Sequence, residues 1–312
     1  MTILVMNAMA RPLVEARLPD WVEPHFFETT ERLFELAPRA EIGWFDLHKK
    51  TDMAKAIELA TGLKWLNSVY AGVDGFPLDV LRARDVAFTN GAGINAITIA
   101  EYVAMGMLTI AKGYREVVRA QDRHEWLRDP PGTMELAGSR ALILGYGAIG
   151  QRVGQVLRGM EVEVTPVRRS GGDGALRPDE WRARLGEFDW IIVAVPATPE
   201  TDGMIGAAEL AAMKTTACVM NVARGSVIDQ PAIVAALREG RIGSAFLDVT
   251  TPEPLPADDP LWDLPGAHIT MHLSGRSQNR MFQRGVERFL ANLERYRAGE
   301  PLEYRVDLEL GY

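Results

Sequence analysis

Ala141-Leu-Ile-Leu-Gly-Tyr-Gly-Ala-Ile-Gly150 is the stretch on which the fold turns. Its four apolar residues read as a buried strand. Gly145, Gly147 and Gly150 then give the spacing G-x-G-x-x-G, and Ile149, Val153, Val156 and Leu157 continue at helical spacing. Each glycine has its own task. The first makes the tight strand-to-helix turn, the second lets backbone approach a pyrophosphate, and the third lets helix and strand pack closely. The helix N-terminus offers unpaired N–H groups and a partial positive charge to phosphates. With 29 glycines in the chain, a chance match is the plain alternative, so the decision rests on what surrounds the turn.

Downstream, further strand-like runs lie at about 162–167, 190–195, 217–222, 244–249 and 268–271, separated by helical patterns or loops. Six strands in such alternation are what a doubly wound dinucleotide-binding domain requires. Upstream, four short runs at 2–7, 41–45, 63–69 and 86–89 read as strands. They alternate with an amphipathic helix over Val22–Leu36 and another over Met53–Ala60, an α/β domain of its own. Asn95 caps a long helix through about Ala111, which crosses to the second domain, and Arg123–Gly132 is loop. The last helix, Gln278–Ala298, sets Phe282, Val286, Phe289, Leu290 and Leu293 on one face and stops at Gly299 and Pro301. That late apolar face is expected to return and cover the first domain. The expected division is 1–94 with 280–312 as a discontinuous substrate domain, and 95–279 as the dinucleotide-binding domain.

A chain of 312 residues is long for one core, in keeping with two domains. With 34 Lys+Arg against 42 Asp+Glu the net charge is −8. That argues against a nucleic-acid or anionic-membrane partner, each of which needs a basic face. Cys218 is the single cysteine, so no disulfide forms within the chain, and its apolar surroundings read as a small buried hydrophobe. No run reaches the roughly 18 apolar residues of a membrane span, and the N-terminus lacks a secretory pattern. A cytoplasmic location is expected. No metal is expected.

In an open parallel sheet, ligands sit beyond the carboxyl ends of the strands. The residues found there are Arg168-Arg169-Ser170, then Asn221-Val-Ala-Arg224-Gly225, then Asp248 and Glu253, then His272. Each alone has a plain alternative. An isolated Arg is usually a solvated side chain. Glu253 between prolines reads equally as an exposed loop acid, and a lone His272 as a ring satisfied by a backbone carbonyl. Taken together at successive strand ends, an Arg, two acids and a His favour a catalytic reading. His25, His48 and His124 read as structural or solvent-exposed.

The order of these motifs resembles the D-isomer-specific 2-hydroxyacid dehydrogenase family. The resemblance runs from about Leu63 to Gly275. It takes in Leu63-Lys-Trp-Leu-Asn-Ser-Val-Tyr-Ala-Gly-Val-Asp74, Ala100-Glu101, the glycine turn, and Val195-Pro-Ala-Thr-Pro-Glu-Thr201. It continues through Asn221-Val-Ala-Arg-Gly225, Leu247-Asp-Val249, Glu253-Pro-Leu255 and Thr270-Met-His272. It implies a doubly wound (Rossmann) cofactor domain, a smaller flavodoxin-like α/β substrate domain built from both termini, and a homodimer. It also implies that Arg224 binds the substrate carboxylate and carbonyl, His272 is the general acid–base, and Glu253 pairs with that imidazole. The backbone amides of Ala71, Gly72 and Val73 would bind the substrate carboxylate. Tyr70 stands just before them, where the family tends to carry a smaller residue, and is expected to shape the pocket. Around the dinucleotide the resemblance implies Gly145, Gly147, Ala148, Ile149, Gly150, Val195, Val222, Ala223, Arg224, Asp248, His272, Ser274 and Gly275. Asp248 would lie near the nicotinamide carboxamide.

Two departures matter. Met271 stands where the family usually has Pro, which frees the local backbone. Roughly 20 residues past the glycine turn, an NAD-specific site carries an acid on the ribose 2′-OH; here Arg168, Arg169 and Ser170 stand there instead. A carboxylate would repel a 2′-phosphate, whereas guanidiniums and a hydroxyl would bind it. NADP(H) is therefore the expected cofactor, with NAD(H) as the alternative. The expected activity is reduction of small 2-oxo acids of the glyoxylate and hydroxypyruvate class. The rivals are phosphoglycerate, formate or phosphite dehydrogenases, and a non-enzymatic dinucleotide-sensing corepressor. Trp44, Phe45, Phe76 and Met271 are further pocket candidates.

Overall fold

The computed structural model describes residues 1–172, 174–277 and 280–311. The chain forms two compact units, Met1–Asn95 with Ser277–Tyr312, and Ala96–Arg276. Among the described residues the named strands pair in parallel in both units, and Thr89 adds a one-residue antiparallel bridge to Arg305.

In the first unit the strands are β1 (Thr2–Asn7), β2 (Val22–Phe27), β3 (Ile42–Trp44), β4 (Trp65–Asn67) and β5 (Ala87–Thr89), in the order β2-β1-β3-β4-β5. That is the flavodoxin-like order, with its switch point between β1 and β3. One sequence expectation fails here. Val22–Phe27, read as the start of a helix, is β2, in register with β1 from Thr2↔Val22 to Asn7↔Phe27. Pro24 gives the reason. It opposes a helix interior yet is tolerated in an edge strand, where its missing N–H leaves no ladder bond unmade. The helix begins only at Thr30 and ends at Leu36, after Thr29 accepts the amide of Arg32 at 3.2 Å. The sequence reading thus undercounts this sheet by one strand.

The helix Arg280–Ala298 belongs to this unit; Gln278, where it was expected to start, lies outside the described residues. Val286, Phe289 and Leu293 on its buried face join a core with Leu4, Met6, Trp44 and Trp65. The ring of Phe289 lies 5.2 Å from that of Trp44 and stacks on Trp65 at 5.1 Å. Fully burying such a ring contributes about 2–3 kcal/mol. Trp44 and Phe45 are 1% exposed, and Phe76 packs on Phe88 at 4.7 Å. All three are core residues rather than exposed pocket walls.

In the second unit the strands are β6 (Arg140–Leu144), β7 (Glu163–Val167), β8 (Trp190–Val193), β9 (Cys218–Asn221), β10 (Ser244–Leu247) and β11 (Ala267–Ile269). They are ordered β11-β10-β9-β8-β6-β7, so the switch point falls between β6 and β8. Leu176 adds a one-residue parallel bridge to Val167 on the outer side of β7, where the doubly wound order has a further strand. The run Leu142, Ile143, Leu144 is 0% exposed, as a strand covered on both faces must be. Cys218 is buried among apolar side chains, which pushes its thiol up to about 12 and leaves it inert. Helix Ala96–Ala111 packs into this core, and a 71° bend separates it from a second helix, Tyr114–Asp122, that the sequence reading did not resolve. Among the described residues no single helix is long and apolar enough to cross a membrane.

Candidate active site

The glycine turn leaves β6 and enters helix Ala148–Arg158 at the switch point. Gly145 has φ 91°, and a Cβ there would meet the Ala194 carbonyl oxygen at 2.6 Å. A Cβ on Gly150 would meet the Gly145 carbonyl oxygen at 2.1 Å. Both positions therefore exclude every other residue. Gly147 differs. A Cβ there would meet nothing within 4 Å, so its absence leaves open space at the helix N-terminus. No side chain caps that terminus. The first-turn amides of Ala148 and Ile149 and the dipole they carry are thus suited to a pyrophosphate, and the residues present fit a dinucleotide.

Arg168, Arg169 and Ser170 follow β7, the strand beside β6. The Arg168 guanidinium donates from Nε to the Gly171 carbonyl at 2.8 Å and from Nη2 to that of Gly172 at 3.2 Å. Arg169 reaches Glu200 at 3.1 Å, an exposed pair worth little to stability. Ser170 donates to the Gly171 carbonyl at 3.4 Å. Two cations and a hydroxyl thus stand at the end of the strand next to the glycine turn. Val195 follows β8, and Val222 and Ala223 follow β9.

Arg224, Glu253 and His272 lie beyond the carboxyl ends of β9, β10 and β11, three neighbouring strands. The backbone leading to Arg224 is fixed by Asn221, whose side-chain amide donates to the Arg224 carbonyl at 2.8 Å and accepts from Ala223 N at 3.0 Å. Arg224 Nη1 donates to the Ala223 carbonyl at 2.7 Å. Glu253 bridges two elements. Its Oε1 accepts the Thr250 amide at 3.2 Å, and its Oε2 lies 2.7 Å from His272 Nδ1. An ionised carboxylate only accepts, so Nδ1 donates and Nε2 is left for proton transfer. The imidazole side chain is 51% exposed, open enough to meet a ligand.

Asp248 is 2% exposed and binds the His272 loop at several points. Oδ1 accepts the Thr270 hydroxyl at 2.6 Å, the Leu273 amide at 3.0 Å and the Ser274 amide at 3.1 Å. Oδ2 accepts the Ser274 hydroxyl, and the Asp248 carbonyl accepts the His272 amide at 2.6 Å. Thr270 was not singled out from sequence, although it heads the Thr270-Met-His272 motif. Gly275 follows this knot. Met271 and His272 both hold positive φ, 55° and 57°. That answers the departure at Met271: proline, locked near φ −65°, cannot adopt this conformation.

The segment Tyr70, Ala71, Gly72 and Val73 lies in the first unit, after β4. The Tyr70 carbonyl accepts Gly91 N at 2.8 Å, and the Ala71 carbonyl accepts the Asn90 side chain at 2.7 Å.

Two parallel α/β units, one carrying a dinucleotide-type glycine turn and an acid–imidazole pair beyond the same sheet edge, define a nicotinamide-dependent oxidoreductase scaffold. Residues 104–274 match the family profile described as D-isomer specific 2-hydroxyacid dehydrogenase, NAD binding domain. The chain is 32% identical to a glyoxylate reductase from Korarchaeum cryptofilum over 265 residues, covering 79% of this chain and 77% of that protein. A D-isomer-specific 2-hydroxyacid dehydrogenase family protein from Aeromonas salmonicida superposes with TM-score 0.87 at 30% identity, over 98% of this chain and 99% of that one. A family member from Xanthobacter autotrophicus, solved with NADPH and MES, superposes with TM-score 0.79 at 26% identity, over 100% and 99%. The chain spans about half the length (49%) of a D-3-phosphoglycerate dehydrogenase from Archaeoglobus fulgidus that it also matches. The chain belongs to the D-isomer-specific 2-hydroxyacid dehydrogenase family.

Proposed function

We propose that this protein is an NADPH-dependent reductase of small 2-oxo acids, of the glyoxylate and hydroxypyruvate class. The first unit serves as its substrate domain and the second as its cofactor domain. The observation that carries the reaction is the 2.7 Å contact between Glu253 and His272 Nδ1. It holds the imidazole with Nε2 available, and protonated His272 then gives its Nε2 proton to the carbonyl oxygen. Bound NADPH would supply hydride for the carbonyl carbon, and that hydride plus the His272 proton account for conversion of the 2-oxo acid to a 2-hydroxy acid, of D configuration where the product is chiral. The Arg224 guanidinium polarises the carbonyl and pairs with the carboxylate, stabilising the charge that develops on oxygen. The amides of Ala71, Gly72 and Val73 hold the carboxylate in the same reading.

Cofactor choice rests on Arg168, Arg169 and Ser170, which stand after β7 where NAD-specific sites carry an acid. These residues would hold the 2′-phosphate, and Asp248, with the backbone of Val195, Val222, Ala223, Ser274 and Gly275, would border the nicotinamide half. The bound NADPH of the Xanthobacter relative is compatible with this choice. An NADPH-linked enzyme drawing on a reduced pool acts as a reductase, and we assign it to the cytoplasm.

We also assign it a homodimeric state. In the second unit Met105, Leu108, Val117 and Val118 are exposed, and Trp126 is 95% exposed. Apolar side chains left in solvent on consecutive elements favour a partner surface. Sedimentation of the purified protein checks this, and a monomer at micromolar concentration contradicts it.

The test of activity is NADPH consumption with glyoxylate, hydroxypyruvate, pyruvate and phenylpyruvate. Turnover of the first two supports the assignment. Tight dinucleotide binding without turnover of any 2-oxo acid favours the sensing role instead.

A further inference from the structure

At the carboxyl edge of the first sheet, one buried acid has no part in the chemistry above. Asp46 follows β3 and is 8% exposed. Its Oδ1 accepts the Ser68 hydroxyl at 2.6 Å. Its Oδ2 accepts the Val69 amide at 2.8 Å and the Trp44 indole N–H at 2.8 Å. Its backbone carbonyl accepts Asn7 Nδ2, at the end of β1, at 3.2 Å. The carboxylate therefore ties the end of β3 to the chain leaving β4, and the Asp46 backbone carbonyl adds the end of β1, the three strands being neighbours.

The tie extends one residue further. Ser68 Oγ, which donates to Asp46, accepts the Tyr70 amide at 3.0 Å. Asp46 thus controls two successive backbone amides, Val69 directly and Tyr70 through Ser68. From the opposite side Gly91 donates to the Tyr70 carbonyl, and the Asn90 side chain donates to the Ala71 carbonyl. Gly91 stands so close that a Cβ there would lie 1.9 Å from the Val69 carbonyl oxygen. The loop is braced on both flanks, and its next amides are those of Ala71, Gly72 and Val73.

A buried carboxylate is costly unless its oxygens are satisfied. Burial pushes the Asp46 carboxyl up to about 6, against the three donors that pull it back. A buried neutral side chain would serve packing alone at less cost, so the retained charge points to the geometry it imposes. We propose that Asp46 is a positioning residue that, through Ser68 and Val69, sets the backbone of the substrate-carboxylate loop Tyr70–Val73. This rests on the loop's assignment above, which the sheet geometry alone does not require.

The test compares Asp46→Ala, Asp46→Asn and Ser68→Ala with Leu33→Ala, a fully buried core position of the same unit whose apolar side chain takes no part in these hydrogen bonds. In Asp46→Ala the KM for glyoxylate should rise about tenfold, while kcat and the KM for NADPH stay within about twofold. Asp46→Asn keeps an acceptor for Val69 and Trp44 and should restore most of the KM. Ser68→Ala, which folds with Asp46 in place, should raise the same KM. Leu33→Ala should lower Tm without moving it. Hydrogen exchange gives a readout independent of turnover, and the amides of Val69 and Tyr70 should exchange about tenfold faster in Asp46→Ala. Unchanged exchange and unchanged KM in both Asp46→Ala and Ser68→Ala overturn the positioning role while leaving the reductase reading intact. If the wild type turns over no 2-oxo acid, faster exchange at those amides supports the brace, and only the loop's ligand assignment falls.

Discussion

The backbone amide of His272 donates to the carbonyl oxygen of Asp248 at 2.6 Å, while the Asp248 carboxylate binds the residues on either side. His272, the proposed general acid, is therefore held at its own backbone by a buried acid just beyond the neighbouring strand. This gives Asp248 a task in addition to the one expected beside the nicotinamide. Thr270→Val removes one of the bonds to Asp248 and should lower kcat about three- to tenfold, with the KM for NADPH little changed. Asp248→Asn turns an amide group toward donors and should cost about 1–3 kcal/mol of stability as well, measured by denaturant unfolding.

Glu253 and His272, 2.7 Å apart, are the proposed proton-transfer pair. His272→Ala should reduce kcat by about 10² or more with NADPH binding near normal. Glu253→Gln keeps a hydrogen bond to the imidazole but not the charge, and should cost about tenfold. Steady-state kinetics with dinucleotide titration separate the two effects; near-normal turnover in His272→Ala would refute the role given to that ring.

Met271 holds φ 55° beside His272 at 57°. Met271→Gly should be tolerated because glycine adopts this region without strain. Restoring the residue usual in the family, Met271→Pro, should instead cost about 2–3 kcal/mol and most of the activity, since the ring forbids the conformation. Thermal unfolding and kcat of the two variants check the contrast.

Two groups outside the proposed catalytic pair, the partly buried His268 and the buried Asp46, give opposite pH dependences. His268 borders a cavity of about 320 Å³ lined also by Arg115, Thr270 and Met271. Burial, followed by Arg115 and Arg119, lowers its pKa from 6.5 to about 4. Between those values the unfolded chain binds the proton and the folded one does not, so stability falls as pH drops through that window. Asp46 is raised from 3.8 to about 6, so the folded chain holds the extra proton and stability falls as pH rises through that window. His268→Gln should flatten the rise of Tm from pH 4 to pH 6.5. Asp46→Asn should steepen the rise below pH 6. The reverse slopes would contradict both assignments.

Much of this was legible because glycine spacing and strand-end chemistry depend on local rules. The turn at Gly145–Gly150 needs backbone that only glycine supplies, so sequence and structure agree there. The Glu253–His272 contact was implied by the family resemblance, while their positions after successive strands placed them only at one sheet edge. What escaped depends on partners distant in the chain. β2 looked helical because Val22, Phe26 and Leu33 fall at helical spacing, and only pairing with β1 makes Val22–Phe27 a strand. Trp44 and Phe45 looked like pocket walls because aromatic residues suit both roles, and burial alone separates them. Asp46 belongs to no motif and Thr270 was hidden behind His272 in its own; their bonds cross 22 residues to reach Ser68 and Asp248.

The central claim is tested most directly by kcat/KM for glyoxylate with NADPH and with NADH, in the wild type and in Arg168→Asp. The expected result is turnover with both, a preference of about tenfold or more for NADPH, and loss of NADPH use first in the variant. A tenfold preference of the wild type for NADH, or an Arg168→Asp variant with unaltered cofactor choice, would contradict the account.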